Sequence, residues 1–260
     1  MSKKLRIILL SLCWPGAFLA AACGETEGQV VTVEVALEAP GSPGSFTTTT
    51  GWEVHLEEAR IAIGPLFAFA PRFEGGVVAA LRSFLMPKAH AHGGTDPLNG
   101  RRVRAEWLPQ VPFDALATDP LVLGTIEAES GAVDAVTVTL NPPDPGNATT
   151  MHDHHFWVRG EATKDGATIR FEGGLDIPDE GLSRRVENIP IDASLDEGGR
   201  WTVTVRASEW FQDAQFDRLT QQNAEGVFLI TPESQVRSAW LLGARSMRAY
   251  AARFDLEEVR

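Results

Sequence analysis

The sequence predicts an all-β fold, a β-sandwich with one or two short helices near the C-terminus. Apolar and polar residues alternate with a period of two in many short runs, the mark of half-buried strands. Clusters of Gly, Pro, Asp and Asn separate those runs at short intervals. A helical period emerges only beyond residue 208.

The elements follow in order. Val31, Val33, Val35 and Leu37 face one way, and Thr32, Glu34 and Ala36 the other, so this run is a strand. Residues 39–44, Ala-Pro-Gly-Ser-Pro-Gly, read as a loop. Trp52, Val54 and Leu56 alternate with Glu53, His55 and Glu57, and Ile61 and Ile63 carry the strand to Gly64-Pro65. Strands are expected within 100–107, within 121–126, and through Val136, Val138 and Leu140. Runs 156–162 and 167–175 flank Lys164-Asp165-Gly166, and Asp-Gly between two β-rich runs predicts a hairpin. Runs 189–195 and 201–207 flank Asp196-Glu197-Gly198-Gly199 and predict a second hairpin with a longer turn. Residues 208–219 predict a short helix capped by Ser208. A second helix is expected over 234–251, with Val236, Trp240, Ala244, Met247 and Ala251 on one stripe. The stretch 70–98 fits no element and reads as a long insertion, a kind often functional. With no internal repeat and no sharp boundary, a single β-rich domain is expected over 29–260.

The 260 residues hold 43% hydrophobic and 22% charged side chains, an ordinary globular balance. Against 23 basic residues stand 35 acidic ones, a net charge of -12. Such a surface repels phosphate backbones, so nucleic acid is excluded as a partner and cations are favoured.

Lys3, Lys4 and Arg6 open the chain, an apolar run 7–12 follows, and 17–22 is small and apolar. This is the build of a secretory signal peptide, expected over 1–22. Ala20-Ala21-Ala22-Cys23 resembles the lipobox of bacterial lipoproteins, with Ala20 where that box usually has Leu. The resemblance implies cleavage before Cys23, lipidation (palmitate among the acyl chains) of that residue, and a tether over 23–28. Gly24 is not the Asp associated with inner-membrane retention, so the resemblance also implies an outer-membrane address, lipid-anchored on the periplasmic side. Only two cysteines occur, Cys13 and Cys23. On this reading neither is a free thiol in the processed protein. A metal site must then use His, carboxylate or Met.

The histidines carry the functional signal. Five of six fall in two groups, Ala89-His90-Ala91-His92 and Met151-His152-Asp153-His154-His155. Six histidines form 15 pairs, each with roughly a 2-in-260 chance of lying two apart, so about a tenth of a pair is expected; two occur. In extended backbone, residues i and i+2 share a face, so His-x-His aims two imidazoles at one ion. Neutral imidazole is a good donor to zinc and copper. The expected metal ligands are His90, His92, His152 and His154. Further candidates are His55, on the polar face of its strand, His155, which points away if the segment is extended, and the thioethers of Met86 and Met151. Copper is the favoured metal, because thioether suits copper(I), with zinc as the alternative. Trp157 reads either as a ligand-facing ring or as part of a second core face.

The β-rich body and paired histidines resemble the periplasmic, copper-handling β-sandwich proteins of the MbnP type. That resemblance implies a metal-binding domain acting in capture, buffering or delivery, with an outer-membrane transporter as partner. It assigns no ligand residue by residue. No catalytic residue or organic cofactor is expected, since hydrolase, zinc-protease, phosphate-binding and dinucleotide motifs are all absent from the sequence. Two alternatives remain beside it: a zinc-dependent enzyme of unknown substrate, and a structural or accessory outer-membrane lipoprotein without metal.

Overall fold

Asp165 and Gly166 turn the chain between β9 (Phe156–Lys164) and β10 (Ala167–Leu175). Both take positive φ, 53° and 80°, as a two-residue hairpin turn requires. The turn pairs Lys164 with Ala167 and fixes every later pair, through Trp157 opposite Gly174 to Phe156 opposite Leu175. In the computed structural model, which describes residues 28–41, 44–72, 100–178 and 184–256, this hairpin supplies two interior strands of one sheet.

The other strands are β1 (Val30–Glu38), β2 (Ser45–Thr47), β3 (Glu53–Ile63), β4 (Leu66–Phe69), β5 (Val103–Trp107), β6 (Val111–Asp114), β7 (Leu121–Glu129) and β8 (Ala132–Thr139). Beyond the central hairpin come β11 (Arg185–Ser194), β12 (Gly199–Val205), β13 (Phe228–Leu229) and β14 (Tyr250–Asp255). They form three sheets with the orders β14-β12-β1-β7, β13-β10-β9-β3-β2 and β11-β8-β4-β5, with β6 on β3 as well. Strand makes up 51% of the described residues, and none of their sheets closes into a barrel, so the fold is an all-β sandwich.

β3 shows how sequence builds the site-bearing face. Its inward residues are Val54 and Leu56, then Ala59 and Ile61, so the alternation slips by one. The pairing with β9 shifts between Leu56 and Glu58, a β-bulge. Glu57 and Glu58 can therefore both serve Arg159, at 3.4 Å and 3.7 Å. Past Ile63 the chain changes sheets at Gly64-Pro65 and continues as β4.

The inner faces meet in one apolar cluster holding Val33, Val35, Leu37, Val54, Leu56, Ile61, Val136, Val138, Phe156, Phe171 and Trp201. Phe156 meets Trp210 edge-on at 5.2 Å, and Phe171 lies 4.7 Å from Phe216. Full burial of side chains like these contributes roughly 1.5–3 kcal/mol each.

Three expectations from the sequence are corrected. The runs 189–195 and 201–207 are not a hairpin: β11 pairs with β8, whereas β12 pairs with β1 and β14 in another sheet. Local alternation shows which face is buried and not which strand is the neighbour: Val186 and Ile189 of β11 and Trp201 and Val203 of β12 reach the same core from different sheets. Residues 208–219 form two short 3-10 turns, Ala207–Phe211 and Phe216–Arg218, without a side-chain cap. The last helix, α1, spans Gln235–Ala244 only. Ser234 caps its start by accepting from the Arg237 N–H at 3.1 Å. Ser246 caps a further 3-10 turn, Met247 is exposed, and Ala251 belongs to β14.

Candidate functional site

The second histidine group lies where the chain enters β9. Thr149–Met151 form one 3-10 turn, and His152 and Asp153 follow with φ of 50° and 63°. The expectation of an extended His152-Asp153-His154 is thereby corrected: the segment is a tight left-handed turn. Met151 is fully buried beneath it, and its carbonyl accepts from the His154 N–H at 2.9 Å. The His155 carbonyl accepts from the Ala62 N–H at 2.8 Å, which fastens the turn to β3.

Counting outward from the Asp165-Gly166 turn, His155 falls opposite Asp176, the first residue past β10. The carboxylate of Asp176 takes both neighbouring imidazoles. His154 Nδ1 lies 2.8 Å from Oδ2, and His155 Nδ1 lies 3.1 Å from Oδ1. The His155 backbone N–H also points at Oδ1, at 3.3 Å. Partial burial pushes the Asp176 carboxyl up, but the hydrogen bonds from His155 and His154 together outweigh it and hold it well below the usual carboxylate range. His155 is 4% exposed, and its Nε2 is buried without a hydrogen-bond partner among the described residues.

His152 stacks on Trp157, ring centroids 4.0 Å apart and planes 19° apart. Its Nε2 stands 3.8 Å from Glu58 Oε1. The His154 ring lies nearly parallel to the same indole, 6.1 Å away. Trp157 and Gly174 are directly paired across β9 and β10. A Cβ at Gly174 would sit 2.0 Å from His154 Cδ2, so the missing side chain is the seat of the imidazole. Trp157 thus belongs to the outer face, between Arg60 of β3 and the ring above Gly174.

The structure brings His152, His154 and His155 together around Trp157 and Asp176. His55 stands apart on the same face. It lies opposite Glu161, four residues and about 13 Å along β9 from Trp157, and its Nδ1 meets Ser45 Oγ at 2.8 Å. His90, His92 and Met86 lie outside the described residues, as do residues 1–22 and Cys23. Among the described residues, no group of three or more His, Cys, Asp or Glu stands ready to hold a metal. Chemically, the described part offers two half-exposed imidazoles beside an indole, one of them fixed by a carboxylate.

Sequence reasoning missed Asp176, Glu58 and Gly174. Asp176 and Gly174 were within reach, since a two-residue hairpin turn dictates the opposing residues. Glu58 depended on the bulge.

No protein-family model matches the chain, and no curated protein matches it. Among solved structures, MbnP from Methylosinus trichosporium is similar at 11% identity, with a TM-score of 0.39, covering 88% of this chain and 99% of that one. A likeness of that degree carries no inference about ligand or activity.

Proposed function

We propose that this chain binds a late first-row transition metal, copper first and zinc second, through His152 and His154 together with His90 and His92. The role is capture, buffering or delivery, with no chemical step. The observation that supports it most directly is the pair of half-exposed imidazoles held parallel to Trp157, one at 4.0 Å and one at 6.1 Å. Two imidazoles alone make a weak site, so the reading requires the second His-x-His pair to complete the sphere. The acidic net charge of -12 favours cations around the molecule. Lipidation at Cys23, an outer-membrane address facing the periplasm and an outer-membrane transporter partner belong to the same proposal.

Calorimetric titration of the purified protein with copper(II), followed by absorption, tests the site. One tight equivalent is expected, lost both in the His152→Ala/His154→Ala variant and in His90→Ala/His92→Ala. Unchanged stoichiometry and affinity in both double variants would refute the shared site.

A further inference from the structure

The described residues contain one buried imidazole nitrogen whose bonding the metal reading leaves unexplained, Nε2 of His155. Its explanation begins at the other nitrogen. An ionised carboxylate can only accept, so the Nδ1 atoms facing Asp176 must both carry protons. His155 therefore carries a proton on Nδ1, and its buried Nε2 has no hydrogen-bond partner among the described residues. The same clamp acts on His154, but there the ring is half-exposed, and its Nε2 has no hydrogen bond among the described residues.

We propose that Asp176 is the positioning residue of this site. Its two oxygens lock His154 and His155 as Nδ1–H tautomers, so that His154 presents Nε2 as the donor to a transition metal. The proposal rests on the metal-binding reading above and adds the group that sets ring orientation and tautomer. Three features keep the clamp rigid. His155 is buried and cannot swing away. Arg237 Nη2 approaches the Asp176 carbonyl at 3.4 Å, and Arg184 approaches the next carbonyl, of Ile177, at 3.4 Å. Gly174 leaves the His154 ring a flat seat against the sheet. A carboxylate behind a ligating imidazole both orients the ring and raises its basicity, and removing such a partner typically costs 10–100-fold in metal affinity.

The test uses histidine-15N-labelled protein, metal-free, at about pH 8, where an ordinary imidazole is neutral. Long-range proton–nitrogen correlation spectra are expected to show the Nδ1–H pattern at His154 and His155. In Asp176→Ala, His154 is expected to revert to the Nε2–H form, and copper(II) affinity to fall about 10–100-fold. Asp176→Asn keeps the shape and one acceptor oxygen, and its affinity should fall between the two. It also serves if the alanine variant does not fold. An Nε2–H pattern at His154 in the unaltered protein, or a tautomer and affinity indifferent to both substitutions, would overturn the proposal. Nδ1–H patterns in a protein that binds no copper would uphold the clamp and overturn the metal reading instead.

Discussion

Two carboxylates of this molecule each gather nitrogen donors from neighbouring chain segments, and they do different things. Glu38, on β1, receives both terminal nitrogens of Arg253 from β14 and the Thr204 hydroxyl from β12. Asp176 receives two imidazoles from the turn before β9. In both, donor hydrogen bonds hold the carboxyl below its ordinary range despite burial. The difference lies in what the donors have left over. Guanidinium has five N–H groups and no lone pair, so the Glu38 cluster is chemically complete. Each imidazole spends one nitrogen on Asp176 and keeps another. Spare valence, rather than charge or proximity, separates a candidate site from a strut.

The sharpest way to break this contrast is to make the second region resemble the first. His154→Arg keeps an N–H donor for Asp176 at a half-exposed position and removes the lone pair. Copper(II) affinity is expected to fall by at least about 100-fold, the upper end of what outer-sphere partners alone cost. The thermal midpoint should stay within a few degrees of its starting value. An affinity within threefold of the original would mean that His154 is not a donor. Gly174→Ala acts more gently. The new Cβ would overlap the His154 ring, and a side chain can swing away where a backbone could not. A loss of about tenfold in affinity is expected, with stability changed by less than about 1 kcal/mol. Retained affinity with an unmoved His154 spectrum would show that the glycine is not the seat.

Much of the fold was legible because one face of each strand is buried. The alternation at Val31–Leu37, the run through β3 and the Asp165-Gly166 hairpin all stand where the sequence places them. The 189–207 stretch was not legible, because local pattern cannot say whether two adjacent strands pair or cross to different sheets. The C-terminal elements were over-extended: Met247 and Ala251 keep the helical spacing, yet Ser246 starts a new turn between them and α1. For the site, residue type was readable and geometry was not. His-x-His suggested an extended pair, whereas positive φ at His152 and Asp153 closes a turn that spreads three imidazoles around Trp157 and Asp176. His155, which alternation would set aside, is the one most firmly held, because its partner comes from across the hairpin.

The smallest expected effect concerns the strut, and it sharpens the comparison from the other side. Hydrogen bonding from Arg253 lowers the Glu38 carboxyl, with burial opposing and Thr204 assisting. A carboxyl lowered in the folded state stabilises fully above its unfolded value, and that stabilisation is lost as pH falls through the folded value. Glu38→Gln keeps the size and removes the charge. At neutral pH it should lower the thermal midpoint by about 2–4 °C, which is about 1 kcal/mol for a chain of this size. On acidification below about pH 4 the gap between variant and unaltered protein should close, because protonation removes the same charge from both. Copper affinity should not change at any pH at which the protein is folded. A gap that persists in acid would mean that Glu38 acts by packing. A change in copper affinity would mean that the strut and the site are coupled, and that the sandwich is not the rigid frame the shared core makes it.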